Sequence, residues 1–332
     1  MKILVTGAAG FIGAALAQRL VERGDEVVGL DNLNGYYSVE LKEQRLARLT
    51  AHRHFRFVKA DLADADAVSG LFAREGFEFV VHLGAQAGVR YSLQNPQTYV
   101  DSNVTGTLNI LEGCRHNPVR HLVFASSSSV YGSGGKQPFA VENPADHPVS
   151  LYAATKRCDE LMAHTYSHLF AIPATGLRFF TVYGPWGRPD MAPMLFADAI
   201  TRGKPIRVFN HGKMQRDFTF IDDIVEGLIR VLPLPPAPRE IWSDSPAESW
   251  APYRVLNIGR GAPTELMRFI HLLEEALGGK AVMKMEPMQP GDVPITWADT
   301  KALEALTGFV PQVTVEEGVQ RFAEWFKGYN KV

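Results

Sequence analysis

The sequence predicts an α/β protein in which the N-terminal half forms a doubly wound parallel sheet and the C-terminal half forms a smaller α/β lobe. Short apolar runs alternate with helical patterns through residues 2–125, a glycine-rich turn follows the first run, and the second half is less regular and richer in proline. Strands buried on both faces of a parallel sheet appear as short, nearly continuous apolar runs. Their alternation with helices is typical of parallel strands joined by crossover helices.

The individual elements follow from this alternation. In the first half we predict strands at residues 2–6, 26–30, 56–59, 79–83 and 121–125, separated by helices at residues 12–23, 39–51, 65–75 and 99–114. In the second half helical patterns appear near residues 193–202, 221–232, 266–277 and 315–329. The proline-rich stretch at residues 232–252 is predicted to be an exposed loop.

The bulk composition excludes several classes of protein. Of the 332 residues, 46% are hydrophobic and 21% charged, which is ordinary for a globular protein, and the net charge of -2 gives no field that would attract nucleic acid or an anionic membrane. No apolar run approaches the roughly 18 residues of a membrane span, and Met1 leads directly into a predicted strand without a signal peptide. Cys114 and Cys158 match neither a zinc site nor a redox pair. We therefore expect a cytoplasmic protein with no metal, nucleic-acid or membrane partner.

The first predicted strand ends in a glycine-rich turn at Gly7, Gly10 and Gly13, and a helix follows it. Glycines at such a turn let the backbone approach a pyrophosphate closely, and the helix N-terminus then faces the phosphates. We expect Gly7, Gly10, Phe11, Ile12 and Gly13 to contact a dinucleotide cofactor. The alternative is a tight turn that binds nothing.

An acidic residue closes the second predicted strand. Asp31 lies roughly 20 residues after the glycines, where a carboxylate accepts hydrogen bonds from the hydroxyls of an adenosine ribose. A carboxylate at this position also repels a 2′-phosphate, so the sequence favours NAD over NADP. The turn and the acid together predict a Rossmann-type fold for the sheet.

Tyr152 and Lys156 lie four residues apart and would share one face of a helix. A free tyrosine is a poor base at neutral pH, whereas a nearby ammonium stabilises its phenolate form. Lysine can also hydrogen-bond the ribose of a nicotinamide. Because such pairs occur by chance on many helices, this pair alone would most simply lie on the surface.

A run of serines, Ser126 to Ser129, follows the strand predicted at residues 121–125. Ligands of doubly wound sheets bind at the carboxyl ends of the strands, so these hydroxyls are well placed to meet a ligand. Ser127 stands about 25 residues before Tyr152. The alternative is an ordinary polar loop, and the order of glycine turn, serine and Tyr152–Lys156 pair argues for catalysis.

These features together resemble the extended short-chain dehydrogenase/reductase family, and the resemblance covers nearly the whole chain. It implies catalytic roles for Ser127, Tyr152 and Lys156, of which Tyr152 and Lys156 also contact the cofactor. It implies further cofactor contacts from Asn32, Asp61, Leu62, Ala85 and Asn103. It also implies an NAD-binding domain at residues 1–180 and mainly a nucleotide-sugar-binding lobe at residues 181–332, with some segments returning to the first domain.

Two segments of the second half resemble the UDP-binding segments of this family. In Arg216-Asp217-Phe218 the arginine is implied to bind the diphosphate, which suits a guanidinium because its donors fork to two oxygens. In Gln289-Pro290-Gly291-Asp292 the aspartate is implied to meet the uridine ribose. Epimerases of the galactose type often have arginine where this chain has Gln289, so the chain departs from them at this position.

Residues 31–37, 86–92 and 183–191 resemble the UDP-glucuronate 4-epimerases within the family. These stretches include Arg90 and Arg188, whose charges would suit an acidic sugar; the alternative for each is a surface salt bridge. We expect the hydroxyls of Ser128, Ser129 and Thr181 to hold the sugar carboxylate.

The activity that the resemblance implies is NAD-dependent C4 epimerisation of a UDP-sugar through a transient 4-keto sugar, with conversion of UDP-glucuronate to UDP-galacturonate favoured. The alternatives are a 4-epimerase of a neutral UDP-hexose (UDP-glucose or UDP-N-acetylglucosamine), a UDP-glucuronate decarboxylase and a non-catalytic NAD-binding sensor. Related decarboxylases and dehydratases carry an acid beside the catalytic Ser or Thr, and this serine loop has none. The resemblance also implies a homodimer, paired through the helix at 99–114 and the helix that carries Tyr152.

Overall fold

A computed structural model describes residues 1–133, 135–240, 245–289 and 291–331. Within these residues the strands are β1 Lys2–Thr6, β2 Glu26–Asp31, β3 Phe55–Lys59, β4 Phe79–His82, β5 His121–Ser127, β6 Ala174–Phe179, β7 Thr181–Tyr183, β8 Pro205–Val208, β9 Gln215–Arg216, β10 Phe218–Phe220, β11 Tyr253–Ile258, β12 Thr264–Glu265, β13 Val282–Met285 and β14 Ile295–Thr296.

The helices of the same residues are α1 Phe11–Glu22, α2 Val39–Thr50, α3 Ala65–Glu75, α4 Pro96–Tyr99, α5 Gly106–His116, α6 Leu151–Phe170, α7 Ala192–Thr201, α8 Ile221–Val231, α9 Leu266–Leu277, α10 Lys301–Thr307 and α11 Val315–Asn330. None of the helices in these ranges is both long enough and apolar enough to cross a bilayer.

Seven strands form one parallel sheet in the order β11-β6-β5-β4-β1-β2-β3. The five strands predicted from apolar runs are all present in it, and the predicted doubly wound α/β fold is confirmed. The chain order reverses between β1 and β4, which places the carboxyl ends of these two strands at a switch point where such sheets bind ligands.

The prediction missed two strands of this sheet, β6 and β11. All six residues of β6 are buried, but its sequence contains Gly176 and Arg178, which interrupt the apolar run. Arg178 is tolerated there because its guanidinium donates to both carboxylate oxygens of the buried Glu160, at 2.8 and 2.9 Å. The strand β11, at residues 253–258, brings a segment of the second half beside β6.

The helix predicted at residues 99–114 is divided. Between α4 and α5 the residues Val100–Thr105 form a π-helical turn, in which hydrogen bonds close wider rings than in an α-helix. Its side chains include the fully buried Asn103, described below. The remaining predicted helices agree with the structure within one or two residues at their ends. Of the proline-rich loop predicted at 232–252, residues 241–244 lie outside the described residues.

The second half is interleaved with the sheet, since β11 belongs to it and α8 packs against α1. The short strand β7 follows β6 after one residue and pairs with β10, while β9 lies between β12 and β14. One apolar cluster extends from Val5 in β1 and Leu20 in α1 to Phe269 in α9 and Phe322 in α11. The strand ends that carry the candidate site are therefore fixed by a core shared between both halves.

Candidate active site

The glycine turn leaves β1 in a conformation that needs glycine. Gly7 has φ +68°, and its N–H donates to the Leu30 carbonyl at 2.8 Å, which ties the turn to β2. A Cβ on Gly7 would lie 2.9 Å from Gly84 Cα, and one on Gly13 would overlap the Gly7 carbonyl oxygen. Helix α1 begins at Phe11 without a side-chain cap at Gly10. Its first N–H groups face a cradle from which side chains are excluded, as a phosphate site requires.

Asp31 links this turn to the loop that follows β2. Its carboxylate accepts from the Ala9 N–H at 3.1 Å and from the Leu33 N–H at 2.9 Å. Next to it, the Asn32 amide donates to Asp61 at 2.8 Å. These acceptors stand where the sequence predicted contacts with the adenosine end of a cofactor.

A cavity of about 960 Å³ extends from the glycine turn across the carboxyl ends of the strands into the second half. All but one of the predicted site residues line it: Gly7, Gly10, Phe11, Ile12, Gly13, Asp31, Asn32, Asp61, Leu62, Ala85, Arg90, Ser127, Ser128, Ser129, Tyr152, Lys156, Thr181, Arg188, Arg216 and Asp292. The structure thus brings together residues that are up to 285 positions apart in the sequence.

Asn103 is the exception, since it is absent from this lining and has no exposed surface. Its side-chain oxygen accepts from the Gln86 N–H at 2.7 Å, and its amide donates to the Gln86 carbonyl at 3.1 Å and to the Thr155 hydroxyl at 3.0 Å. Asn103 fixes the backbone of the cavity residue Gln86 against helix α6. Its direct contact with the cofactor stays a prediction.

Tyr152 and Lys156 lie one turn apart at the start of α6, whose N-terminus is capped by Ser150. Tyr152 is half-buried and packs edge-on against Tyr99, with ring centroids 6.1 Å apart. Lys156 is only 3% exposed, and its ammonium donates to Asp159 at 2.5 Å. Both side chains reach the cavity, one from the rim of the helix and the other from its buried face.

The serine loop begins inside β5, which runs two residues further than predicted and ends at Ser127. The Ser127 oxygen accepts from both the hydroxyl of Ser129, at 2.9 Å, and the N–H of Ser129, at 3.2 Å. When Ser127 accepts both of these bonds, its own hydroxyl proton is left to donate to a ligand. Ser126 differs from its neighbours because its hydroxyl donates to the buried Glu160 at 2.6 Å.

Two of the arginines that line the cavity are already paired with carboxylates of the protein. Arg188 makes a two-point ion pair with Asp190, at 3.0 and 2.5 Å, and Asp190 also accepts from the Tyr36 hydroxyl at 3.0 Å. Arg90 pairs with Asp292 at 3.1 Å and stacks on the ring of Phe209.

Arg216 is held by the backbone. One of its terminal nitrogens donates to the carbonyls of Gln215, at 2.8 Å, and Pro294, at 3.1 Å. Burial lowers the pKa of its guanidinium, and nearby Asp292 opposes that effect. A guanidinium orientated in this way presents its other donors to the cavity, where an anion would meet them.

Sequence reasoning missed two charged residues beside the site. Asp159 carried a usable signal, since three residues on a helix place its side chain on the face of Lys156. Arg45 also carried one, because it lies four residues from both Leu41 and Leu49 and therefore shares the apolar face of its helix. It is 1% exposed and donates to the carbonyls of Ala9, at 3.0 Å, and Trp186, at 2.6 and 3.1 Å.

Comparison with known proteins identifies the family of this chain. Residues 3–243 match the model of the NAD dependent epimerase/dehydratase family. The chain is 50% identical to a probable UDP-glucuronate 4-epimerase of Rhizobium meliloti (98% of this chain, 97% of the relative) and 51% identical to Protein CapI of Staphylococcus aureus (100% of both). It also superposes on the UDP-glucuronic acid 4-epimerase of Bacillus cereus, solved with UDP-glucuronic acid and NAD, with a TM-score of 0.88, 34% identity, and coverage of 99% and 100%. The chain belongs to the NAD-dependent epimerase/dehydratase family.

Proposed function

We propose that the protein is an NAD-dependent 4-epimerase that interconverts UDP-glucuronate and UDP-galacturonate. The observation that carries the proposal is a single cavity that joins the glycine turn, the Tyr152–Lys156 pair, the serine loop and Arg216. The names of the relatives support the same substrate. In this proposal residues 1–180 bind the cofactor, and residues 181–332 mainly bind the nucleotide sugar, with β11 as a segment that returns to the sheet.

The residues at the glycine end fit NAD. A cradle closed to side chains at Gly7 and Gly13 suits a pyrophosphate, and Asp31 beside it suits a ribose with two free hydroxyls. When bound there, NAD supplies a reversible hydride acceptor for C4 of the sugar. Strict dependence of turnover on added NADP would contradict the role of Asp31.

The chain's own residues would handle the proton. Tyr152 takes the proton from the sugar 4-hydroxyl, and the Lys156 ammonium stabilises the phenolate that Tyr152 must present. The Ser127 hydroxyl, which lines the same cavity, donates to the oxygen at C4. Once C4 is a ketone, rotation of the sugar within the cavity would present its other face for return of the hydride to C4, and Tyr152 would return the proton to the oxygen at C4.

The loop beside Tyr152 favours epimerisation over elimination of water. Residues 126–132 contain serines, valine, tyrosine and glycine but no carboxylate. Without an acid and a base next to C5 and C6, the ketone has no group to remove a second proton.

The test is to incubate the purified protein, without added cofactor, with UDP-glucuronate, UDP-glucose and UDP-N-acetylglucosamine, and to separate the products by chromatography. We expect UDP-galacturonate from UDP-glucuronate, because the cofactor is regenerated in each cycle. Formation of a UDP-pentose as the main product would contradict the proposal, as would inactivity on all three sugars with NAD supplied.

A neutral UDP-hexose is the second candidate substrate, and one observation favours it. The guanidinium groups of Arg188 and Arg90 are already paired with Asp190 and Asp292, so neither is an unpaired cation waiting for a sugar carboxylate. Conversion of UDP-glucose with no reaction of UDP-glucuronate would decide for this alternative.

We also propose that the protein is a cytoplasmic homodimer. Four large apolar side chains are exposed on α5 and α6: Leu108, Leu161, Leu169 and Phe170. Pairing of these helices between two subunits would bury them. Both cysteines are free thiols, as the reducing cytoplasm favours.

The dimer is tested with Leu161→Glu, which places a charge in the proposed interface. We expect the wild type to have the mass of two chains by light scattering and the variant to dissociate. Val310→Glu, at a similarly exposed apolar residue outside these helices, is the control and should not change the mass. A wild type of single-chain mass would refute the proposal.

A further inference from the structure

A buried polar network lies behind Lys156, and the proposed mechanism does not use it. The Lys156 ammonium donates to Asp159 Oδ2 at 2.5 Å, and these two side chains are 3% and 1% exposed. On the far side, His82 in β4 contacts the hydroxyls of Thr6, at 2.7 Å, and Thr107, at 3.1 Å. All five side chains are buried, so none of them exchanges freely with water.

Burial and the neighbouring groups have opposite effects on the ionisation of the Asp159 carboxylate. Its second oxygen, Oδ1, is buried and has no hydrogen-bond partner among the described residues. An ionised carboxylate with one unpaired oxygen is costly in a dry interior. Burial accordingly raises the pKa of Asp159 to about 6, against the opposing effects of the Lys156 ammonium and the Thr107 hydroxyl.

The charge of Asp159 bears directly on what Lys156 can do. A full positive charge near Tyr152 favours its phenolate, whereas a carboxylate 2.5 Å from the same ammonium offsets part of that charge. The other titratable groups of this region include Glu160, whose carboxylate pairs with Arg178 and Arg157, Cys158, whose thiol pKa is raised by burial and by Asp159, and His82. Burial and the Lys156 charge lower the pKa of His82 to about 3, so His82 is neutral.

We propose that Asp159 is a positioning residue for Lys156, which holds the ammonium in place and limits how strongly its charge favours ionisation of Tyr152. The inference rests on the proposed function, in which Tyr152 is the base. In this inference Asp159, which lies outside the Tyr–Lys pair, sets the pH range in which the enzyme works.

The test is the isosteric variant Asp159→Asn, which keeps an oxygen acceptor for Lys156 and removes the negative charge. We expect the pH below which kcat/KM falls to move down by about one unit, the size of effect that a neighbouring charge produces. The advantage of D159N should shrink below pH 6, where Asp159 in the wild type itself becomes neutral. A merely structural role of Asp159 would lower kcat/KM at every pH and leave the acidic limb of the pH profile, where kcat/KM falls, at the same pH.

Three further proteins make the result decisive. Asp159→Glu keeps the charge and should keep the wild-type limb even if it is slower, while Glu275→Gln removes an exposed carboxylate of α9 and should change nothing. If D159N does not fold, Thr107→Val, which removes a hydroxyl that favours the ionised carboxylate, should shift the limb in the same direction by less.

The ionisation of Tyr152 can also be followed without turnover, as the ultraviolet difference between each protein and its Tyr152→Phe counterpart. The same downward shift is expected there. An unchanged limb and an unchanged tyrosine titration in the folded variants would overturn the inference while leaving an active wild type intact. A wild type that converts no UDP-sugar would instead refute the proposed function.

Discussion

Tyr152 and Lys156 share a helix face but differ in exposure, since the tyrosine is half-buried at the cavity and the lysine is almost fully enclosed. We predict that Tyr152→Phe lowers turnover by about 10²- to 10⁴-fold, the usual contribution of a general acid–base group, because phenylalanine keeps the ring and loses only the proton acceptor. UDP-sugar binding, measured by calorimetry, should change little. A variant that keeps most of the wild-type rate would remove Tyr152 from the role of base.

The hydroxyls of Ser128, Ser129 and Thr181 bear on a second outcome at the residue scale. Oxidation of UDP-glucuronate at C4 gives a β-keto acid, which loses carbon dioxide when the bond to the carboxylate lies perpendicular to the ketone plane. Hydroxyl donors that hold the carboxylate can prevent that orientation and stabilise charge on its own oxygens. All three hydroxyls line the cavity.

We therefore predict that Ser128→Ala, Ser129→Ala and Thr181→Val each raise the carbon dioxide released per epimerisation. The measurement is the ratio of UDP-pentose to UDP-galacturonate in each variant and in the wild type. Variants that all react more slowly at an unchanged ratio would show that these hydroxyls do not protect the keto acid.

At the scale of the elements, Arg45 of α2 joins three loops around the cofactor end of the cavity. Its guanidinium donates to Ala9 in the glycine turn, to the Tyr37 hydroxyl after β2, and to Trp186 and Gly187 after β7. Trp186 has φ +64°, a left-handed backbone conformation that residues other than glycine rarely adopt. The hydrogen bonds from Arg45 to the Trp186 carbonyl help to hold it.

We predict that Arg45→Met weakens NAD retention by at least about tenfold and lowers the free energy of unfolding by about 2–4 kcal/mol, because several buried carbonyls lose a charged donor. Arg48→Met is the matched control, since Arg48 lies on the same helix, is exposed and only stacks on the ring of Trp186. NAD release after gel filtration and denaturant unfolding measure the two effects. Equal changes in both variants would contradict the role of Arg45.

How far the sequence predicts the elements depends on where their polar groups are satisfied. Strands β1 to β5 were identifiable because their apolar runs need no distant partner. Strand β6 was not, since Arg178 is buried only through Glu160 on α6, a contact that no local pattern shows. The π-helical turn was not predicted for the same reason, because its buried Asn103 is satisfied by Gln86 and Thr155, which lie far away in the sequence.

The candidate site follows the same logic. Glycines, the Tyr–Lys pair and the serines were found because the spacing of each is local and specific to its chemistry. The ion pairs of Arg188 with Asp190 and of Arg90 with Asp292 were not foreseen in detail, and the second joins residues 202 positions apart. Sequence reasoning therefore located the residues of the cavity better than their partners.

At the scale of the whole molecule, two buried histidines couple stability to pH. Burial lowers the pKa of His121 to about 4 and that of His82 to about 3. His121 has no exposed surface and lies between the Leu232 carbonyl, at 2.9 Å, and the Thr175 hydroxyl, at 2.8 Å. In the unfolded chain both histidines have a pKa of about 6.5. Below that pH the unfolded state therefore binds more protons than the folded state. Their contribution is complete above pH 6.5 and is lost as the pH falls toward 4.

The raised pKa of Asp159 acts in the opposite sense, since the folded state then binds the extra proton, and a comparison of variants is needed to separate the effects. We predict that His121→Gln, which keeps a donor and an acceptor, reduces the loss of unfolding free energy between pH 7.5 and pH 5.0 by about 2 kcal/mol, the cost of 1.5 pH units below 6.5. Denaturant titrations at both pH values measure it. His116→Gln, at an exposed histidine of α5, should leave the loss unchanged. If His121→Gln loses as much stability as the wild type, acid sensitivity arises elsewhere, because the contribution of Asp159 cancels between the two proteins.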